Sequence, residues 1–321
     1  MKDESRIKHI DREDIPVIDI GTLFTSSPDY RGVGDALREA AETVGFFYVS
    51  NHCIAPSLTA AVTSLAHEFF DYPDEMKQTV RAQGTHRGLL SYGGAKMENQ
   101  RRADLKESFI WGADLPEDNP RYLSGNKLFA PNVWPPFMPS LCDTLNEYMA
   151  AANLCGQQLL RAFAASLGID HDYFVQTFNQ PISRGTLIHY PPQHEGMGGD
   201  QFGVSPHTDF GTLTLLAQDS TGGLQVMGRD GEWLTAHPID DTLVVNVGDL
   251  LARWTNDRFQ STVHAVVNST GKERYSIVVA VDPDWDTVVS PVVLEDEMAR
   301  YPPVRCGEYI QQRFDRSFTY K

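Results

Sequence analysis

Two residues with metal-binding side chains, His207 and Asp209, lie two positions apart in the segment 205–211. If this segment is an extended strand, residues i and i+2 project from the same face, and the imidazole would lie beside the carboxylate. Both groups are common ligands of divalent transition metals. Two protein ligands rarely hold a catalytic metal, so we expect a third ligand from elsewhere in the chain.

The best candidate for the third ligand is His264, which lies 55 residues after Asp209 in the segment 261–267. This segment is rich in β-branched residues and is therefore typical of a strand. Two histidines and one carboxylate can occupy one face of an octahedral iron centre, which leaves the other positions open for O2 and a co-substrate. The sequence thus predicts a non-haem Fe(II) site formed by His207, Asp209 and His264.

A second polar pair, Arg274 and Ser276, lies in the strand-like run 273–280, shortly after His264. On a strand the two side chains would share a face and would present a guanidinium beside a hydroxyl, which suits the binding of a carboxylate. A salt bridge of Arg274 with an acidic neighbour at the surface is the alternative. If Arg274 is buried, it needs an anionic partner.

The ordered series from His207 to Ser276 resembles the iron- and 2-oxoglutarate-dependent oxygenases, specifically their isopenicillin N synthase-like branch. The similarity covers nearly the whole chain and includes the segments 15–19, 45–49, 104–109, 222–226, 245–249, 254–256 and 301–303. The resemblance implies Fe(II), 2-oxoglutarate as co-substrate, and O2. It further implies that Arg274 and Ser276 anchor the C5 carboxylate of 2-oxoglutarate and that Tyr190 reaches the co-substrate or the substrate. At Ile188 plant members usually have an asparagine, so one accessory contact is missing.

The implied reaction is the oxidation of a small metabolite, by hydroxylation, desaturation or cyclisation, in secondary metabolism. In resembling enzymes the region 83–100 helps to cover the active site, which makes Arg87, Tyr92 and Met97 substrate-pocket candidates, with Arg87 suited to a substrate carboxylate. Four apolar residues are candidate pocket walls, although a role in the core is the default for each: Phe109, Phe210, Leu224 and Trp254.

Two alternatives remain open. Isopenicillin N synthase and aminocyclopropane carboxylate oxidase also carry the triad and an Arg-x-Ser pair but do not use 2-oxoglutarate, so the pair alone does not identify the co-substrate. A non-catalytic small-molecule binding protein on the same fold is an alternative of another class, but such a protein need not keep all three ligands. A zinc hydrolase is disfavoured because no His-Glu-x-x-His motif accompanies them.

The composition of the chain excludes other classes of partner. A formal net charge of −16 over 321 residues argues against nucleic acid or an anionic membrane, since both require basic patches. No apolar run reaches membrane-spanning length, and the charged N-terminus lacks the apolar stretch of a secretion signal. We therefore expect a cytoplasmic protein with a small-molecule partner. The four cysteines have neither metal-site nor disulfide spacing, so free thiols are expected.

The elements expected to position the site fall into two regions. Residues 1–180, by resemblance a non-haem dioxygenase N-terminal region, show an early edge strand at 15–20, a strand at 46–49 and helices at 35–45, 57–70 and 140–167. Asp35 is expected to cap the first helix, Gly45 and Gly168 are expected to end helices, and 83–100 reads as an irregular loop. Residues 181–321 show short β-type runs at 186–190, 212–217, 224–226, 242–247, 262–267 and 275–281. We expect a mainly β fold with α: a double-stranded β-helix (jelly roll) core on which the helical N-terminal region packs, as one compact unit.

Overall fold

The computed structural model describes residues 15–94, 102–193, 201–268, 270–294 and 297–317. Its helices are α1 (Tyr30–Thr43), α2 (Pro56–Asp71), α3 (Asp74–Lys77), α4 (Pro120–Leu123), α5 (Ser140–Ser166), α6 (Asp249–Trp254) and α7 (Cys306–Ser317). Short 3₁₀ helices occur at Gly21–Phe24, Gln78–Val80, Lys127–Phe129 and Val175–Thr177. Within the described ranges, no helix has the length and apolar character needed to cross a membrane.

The strands form two main sheets. They are β1 (Val17–Asp19), β2 (Phe46–Ser50), β3 (Gly88–Leu90), β4 (Glu107–Gly112), β5 (Arg184–Tyr190), β6 (Val204–His207), β7 (Leu213–Gln218), β8 (Leu224–Met227), β9 (Trp233–Ala236), β10 (Leu243–Val247), β11 (His264–Val266), β12 (Arg274–Val281), β13 (Val288–Val289) and β14 (Val304–Arg305). The larger sheet has the order β1-β2-β10-β7-β12-β5-β4-β3, the smaller sheet has the order β6-β11-β8-β9, and β13 pairs with β14.

Strands β5 to β12 cross between the two sheets as the chain proceeds, so the sheets face each other as a double-stranded β-helix. This confirms the predicted fold class. Strands β1 to β4, which precede residue 180, extend the larger sheet at both edges: β2 pairs with β10 and β4 pairs with β5. The helix-rich part of the chain therefore contributes strands to the same sheet as the jelly roll.

The two faces of the larger sheet have different partners. On β12, Tyr275, Ile277, Val279 and Val281 join the main apolar core, together with the buried stripe of α5. The alternate positions of the larger sheet, such as Ile188, Tyr190 and Leu216, point between the sheets and join a smaller apolar cluster with Val226 and Val266. Period-two alternation thus separates a packing face from an interior face, and the latter carries the site described below.

Several predicted elements are confirmed. Helix α5 ends near Gly168, and α1 ends just before Gly45; both glycines adopt a φ of 73°, a left-handed conformation that glycine tolerates best. Strand β1 follows Pro16 and lies at a sheet edge, as expected. The four cysteines are free, as predicted.

Other boundaries differ from the prediction. Helix α1 begins five residues earlier than expected because Asp29 is the capping residue: its Oδ1 accepts a hydrogen bond of 2.8 Å from the Gly32 N–H. Asp35 lies inside α1 and pairs with Arg31. The segment predicted as a loop contains β3, whose backbone pairs with β4. Helices α6 and α7 were not predicted.

Candidate metal centre

Pairing within the smaller sheet brings the three predicted ligands together. His207 ends β6 and His264 begins β11, and the two residues are direct partners across the antiparallel pair. The Oδ1 atom of Asp209 lies 3.7 Å from Nε2 of His207 and 3.8 Å from Nε2 of His264. The three ligand atoms lie within 4.8 Å of one another, an arrangement able to hold one metal ion. One detail of the prediction was wrong: β6 ends at His207, so Asp209 reaches the site from the following loop and not from the same strand face.

The orientation of each imidazole is set by a backbone carbonyl. Nδ1 of His207 lies 2.8 Å from the Ser205 carbonyl, and Nδ1 of His264 lies 3.1 Å from the Thr262 carbonyl. A neutral imidazole that donates its Nδ1–H to a carbonyl keeps a lone pair on Nε2, and that lone pair is directed at the site. The two histidines therefore have the tautomer that a metal ligand requires.

The carboxylate of Asp209 is oriented in a similar way. The Asn246 side-chain amide donates a 2.8 Å hydrogen bond to Oδ2, which leaves Oδ1 directed at the two histidines. The Asp249 N–H donates to the Asp209 carbonyl at 2.8 Å and fixes the backbone of the loop. The sequence indicated only that Asn246 and Asp249 organise the end of a strand. The structure adds that Asn246 acts directly on a predicted ligand.

The charge states of the site suit metal binding. Burial lowers the pKa of the His207 imidazole, and the neighbouring His264 lowers it further, so the ring is neutral at neutral pH. Burial alone would raise the pKa of Asp209, but the adjacent His264 and His207 and the hydrogen bond from Asn246 outweigh it and lower that pKa. Neutral imidazoles and an ionised carboxylate are the forms that bind a divalent cation.

A single carboxylate, that of Asp249, links the segments that carry the ligands. Its Oδ2 accepts a hydrogen bond of 3.2 Å from the Thr208 hydroxyl, and its Oδ1 accepts one of 2.6 Å from Ser261. Arg313 of α7 forms an ion pair with the same carboxylate at 2.8 Å. Asp249 therefore connects the Asp209 loop, the segment before His264 and the C-terminal helix.

The second predicted pair is buried inside the barrel. Arg274 is 0% exposed; its Nε donates to the Gly222 carbonyl at 2.5 Å and its Nη1 donates to the Ser276 hydroxyl at 3.3 Å. The guanidinium carbon lies 4.6 Å from the centre of the Tyr190 ring. A surface salt bridge for Arg274 is thereby excluded. The turn at Gly223 is tight, since an added Cβ would lie 2.4 Å from the Val267 carbonyl oxygen.

The Arg274 guanidinium is incompletely satisfied. Its Nη2 has no hydrogen-bond partner in the part of the chain that the structure describes. A buried cation is stable only with an anion and with its donors hydrogen-bonded, so the geometry requires a ligand that supplies both. The distal carboxylate of 2-oxoglutarate meets this requirement, and the residues present fit this co-substrate.

A cavity of about 100 Å³ lies beside His207 and Asp209. Its other lining residues come from β5, β7, β12 and the residue after it, the Asp209 loop and α7: Arg184, Thr208, Phe210, Gly211, Thr214, Val278, Ala280, Asp282, Ile310 and Phe314. Arg184, Asp282 and Phe314 were not identified from the sequence. Arg184 lies six residues before Tyr190, an even spacing that places both side chains on one face of a strand, and this was the local signal available for Arg184.

The predicted substrate residues have different outcomes. Phe210 lines the cavity, and Leu224 lies in the interior cluster near Tyr190. Phe109 and Trp254 are corrected to core residues, because Phe109 packs against Phe69 at 4.9 Å and Trp254 against Phe174 at 4.9 Å in the main core.

The candidates from the region 83–100 are not brought to the cavity. Arg87 is buried but does not line it, and its Nη1 and Nη2 donate to the carbonyls of His86 and Leu128 at 2.9 and 2.8 Å. Tyr92 is 50% exposed in the turn after β3. Met97 lies outside the described residues.

Comparison with known families gives two matches that together cover most of the chain. Residues 15–137 match the family described as non-haem dioxygenase in morphine synthesis N-terminal. Residues 178–283 match the 2OG-Fe(II) oxygenase superfamily, and this range contains all three predicted metal ligands and the Arg274–Ser276 pair.

Individual relatives match over nearly their full length. The 2-oxoglutarate-dependent dioxygenase citB of Monascus ruber is 35% identical over 288 residues, which cover 87% of each chain. The 2-oxoglutarate-Fe(II) type oxidoreductase hxnY of Emericella nidulans is 30% identical over 94% of this chain and 90% of its own. Among solved structures, a full-length Neurospora crassa protein in complex with alpha-KG (2-oxoglutarate) and thymine has a TM-score of 0.83 at 29% identity, covering 97% of this chain and 99% of that chain.

Proposed function

The chain belongs to the 2OG-Fe(II) oxygenase superfamily, and from that membership we propose that His207, Asp209 and His264 hold its iron while Arg274 and Ser276 bind the distal carboxylate of 2-oxoglutarate. The enzyme is a non-haem Fe(II)- and 2-oxoglutarate-dependent dioxygenase. The observation that carries the residue assignment is the convergence of three ligand atoms within 4.8 Å, with both imidazole tautomers already fixed.

When bound, the iron and its co-substrate supply the O2-dependent oxidation of a C–H bond that no side chain can perform. The protein contributes ligands that are oriented before the metal arrives. The Ser205 and Thr262 carbonyls hold the imidazoles and Asn246 holds the carboxylate. Three ligands on one side of the metal leave the opposite side for exogenous groups.

Arg274 orients the co-substrate by its distal end. Its Nη2 and the adjacent Ser276 hydroxyl are directed to the same interior face, where a carboxylate would accept from both. The Tyr190 ring supports the guanidinium from one side, which keeps the fork in place. The apolar interior around Tyr190 excludes water from this end of the barrel. This arrangement favours the 2-oxoglutarate-dependent reaction over an oxidase reaction without that co-substrate.

The substrate in this proposal is a small molecule, and the enzyme belongs to the isopenicillin N synthase-like branch that serves secondary metabolism in the cytoplasm. The size of the cavity supports a small substrate: about 100 Å³ is well below the ~300–1,000 Å³ of pockets for drug-sized ligands. The Neurospora crassa structural neighbour was solved with thymine, a molecule with a single ring.

We also propose the division into a helix-rich region, 1–180, and a jelly-roll core, 181–321, that fold as one unit. The support is the pairing of strands across this boundary, β2 with β10 and β4 with β5. Separation of the two regions would break the larger sheet at two places.

The experiment that tests the residue assignment is an anaerobic titration of the apoprotein with Fe(II), followed by 2-oxoglutarate, monitored by the visible charge-transfer band of the chelate. We expect the band in the wild type, its loss in His264→Ala, and in Arg274→Gln a 2-oxoglutarate dissociation constant raised by about tenfold or more, because a charge-assisted bidentate contact is lost. Tyr92→Phe, which changes an exposed residue outside the cavity, is the matched control.

The outcomes separate the two parts of the assignment. Retention of full iron affinity in His264→Ala would remove this histidine from the ligand set. An unchanged 2-oxoglutarate affinity in Arg274→Gln would place the distal carboxylate elsewhere.

A further inference from the structure

Two arginines lie on the interior face of the pair β5 and β12, at opposite ends. Arg274 begins β12 and pairs with Tyr190, whereas Arg184 begins β5 and pairs with Ala280. The six-residue separation along β12 corresponds to about 20 Å at ~3.4 Å per residue. Arg184 lines the cavity beside His207 and Asp209, and Arg274 does not. The barrel thus has a guanidinium at each end, and only the Arg274 end is assigned to the co-substrate.

Two aromatic side chains, Phe210 and Phe314, line the cavity at the Arg184 end. The rings of Phe210 and Phe314 meet edge to face, with centres 5.4 Å apart. The Arg184 guanidinium carbon lies 4.1 Å from the centre of the Phe314 ring, so the charge and the ring border the same space. Aromatic walls bind planar groups well, and an arginine stacked on a ring donates its N–H groups in the plane of the guanidinium, away from the ring face.

The charges that face this region include both signs. Asp209 is committed to the metal, and Asp282 accepts a hydrogen bond of 2.9 Å from the Thr212 N–H. Burial raises the pKa of Asp282 to about 6, although the Thr212 N–H and Arg184 oppose it. Basic side chains are also present: burial lowers the pKa of His86 to about 3, and the positive charges of Arg184, Arg87 and Lys127 lower it further. Away from the metal ligands, Arg184 and Asp282 therefore bring one positive and one acidic side chain to the lining of the cavity.

Of these three cations, Arg184 is the one that lines the cavity. Arg87 uses its Nη atoms on backbone carbonyls and is packed against Gly112, where an added Cβ would lie 2.3 Å from Nη2. Lys127 is exposed and does not line the cavity. Gly112 pairs with Arg184 across β4 and β5, so the Arg87 guanidinium that packs over Gly112 lies on the same face as Arg184, and of the two arginines it is Arg184 that lines the cavity.

We propose that Arg184 binds a carboxylate of the substrate, and that the substrate is a small planar carboxylic acid whose flat part lies against Phe210 and Phe314. This inference rests on the proposed function, because it places the substrate between Arg184 and the iron ligands. In this arrangement each end of the interior face of β5 and β12 binds one carboxylate. Arg274 binds the distal carboxylate of 2-oxoglutarate, and Arg184 binds the carboxylate of the substrate.

The test measures binding under anaerobic conditions to the complex of the protein with Fe(II) and saturating 2-oxoglutarate. The probes are benzoate and 2-furoate, each compared with its amide, which has nearly the same shape and no charge. Dissociation constants come from calorimetry and from the shift of the charge-transfer band, and saturating 2-oxoglutarate keeps the probes from Arg274. We expect each acid to bind the wild type about tenfold or more tightly than its amide, as a charge-assisted contact predicts.

Three variants make the test specific. In Arg184→Gln the preference for the acid should fall to about twofold or less, and Arg184→Lys should keep part of it, since the charge remains but the fork is lost. Arg300→Gln removes an exposed arginine that pairs with Asp257 and does not line the cavity, and it should leave the preference unchanged. Melting temperatures and the band itself verify that each variant is folded and still binds 2-oxoglutarate.

The result that overturns the inference is a wild type that binds the amides as well as the acids, or binds neither, or an Arg184→Gln variant that keeps the full preference. In each of these cases an intact charge-transfer band would leave the proposed function standing. Absence of the band in the wild type would instead overturn the proposed function itself.

Discussion

The hydrogen bond from Asn246 to Asp209 offers the sharpest test of how this chain prepares its metal centre. The Asn246 side chain is 3% exposed in β10, and its amide donates to Oδ2 of Asp209 at 2.8 Å. Asn246→Ala removes this donor without altering a ligand. Oδ2 would lose its partner in a buried site, and the carboxylate would be free to rotate Oδ1 away from the histidines.

The size of the effect follows from the type of bond. A hydrogen bond to a charged group contributes about 1.5–3 kcal/mol, which corresponds to roughly 10- to 150-fold in an equilibrium constant. Loss of a group that orients a metal ligand typically weakens metal affinity about 10–100-fold. Thr214 also lowers the pKa of Asp209 and is unchanged in the variant, so the carboxylate keeps part of its support. The loss of metal affinity should therefore lie in the lower half of the range of about 10–100-fold. We therefore expect Fe(II) affinity to fall by about 10- to 30-fold.

The assay is an anaerobic Fe(II) titration in the presence of saturating 2-oxoglutarate. Asn51→Ala is the matched control, because Asn51 donates to Oδ2 of Asp19 at the same 2.8 Å, but at an exposed position far along the chain from the ligands. An Asn246→Ala protein that is folded and binds iron within about twofold of the wild type would refute the idea that this amide holds the ligand in place.

Two further predictions concern charged groups around the site. Arg313→Gln should weaken Fe(II) binding severalfold while Arg300→Gln does not, because Arg313 holds the Asp249 carboxylate that links the ligand segments; equal affinities in the two variants would contradict this. Glu107→Gln should lower the free energy of unfolding at pH 7. Burial alone would raise the pKa of Glu107, but His189 and Lys77 outweigh it and lower that pKa below its ordinary value of 4.5, so this stabilisation is complete above pH 4.5 and is lost as the pH falls through the lower value. Urea unfolding from pH 7 to pH 4 should show the difference between wild type and variant shrink below pH 4.5, and a constant difference would contradict the assignment.

The parts of the site that the sequence predicted are those with a local signature. His207 and Asp209 are separated by one residue, and Arg274 and Ser276 alternate on a strand whose apolar pattern is clear. His264 was predicted as a ligand from the strand-like segment that contains it and from its position in the order of the motifs. The Arg274–Ser276 pair depends on neighbouring residues alone, and period-two alternation directs both side chains inward, whereas Asp209 reaches the site from the loop after β6.

The parts that could not be predicted depend on tertiary contacts. Arg87 and Arg184 are both arginines near short apolar segments, and only the tertiary structure places Arg184 in the lining of the cavity and Arg87 over Gly112 beside it. Phe314 belongs to α7, whose approach to the Asp209 loop is set by the Arg313–Asp249 ion pair and by packing on Phe210. Similarly, the start of α1 shifted because Asp29 caps it, although Asp35 has the same side chain. Residue type and local sequence do not distinguish Arg87 from Arg184, or Asp29 from Asp35.

Both proposed binding sites include residues of β12, Arg274 and Ser276 at one end and Val278 and Ala280 at the other, so the register of this strand affects both. Residues Arg274, Ser276, Val278 and Ala280 alternate inward, from the end of the barrel proposed to bind the co-substrate to the cavity proposed to bind the substrate. A shift by one residue would turn all of them to the helix-packed face, so the long pairing of β12 with both β5 and β7 protects both sites at once. The pairing of β12 with β5 and β7 also fixes the distance between Arg274 and the cavity. Phe210 and Phe314, in contrast, come from a loop and a helix that are not part of the paired strands. The proposed substrate wall can therefore change with those residues while the proposed co-substrate clamp and metal ligands keep their geometry.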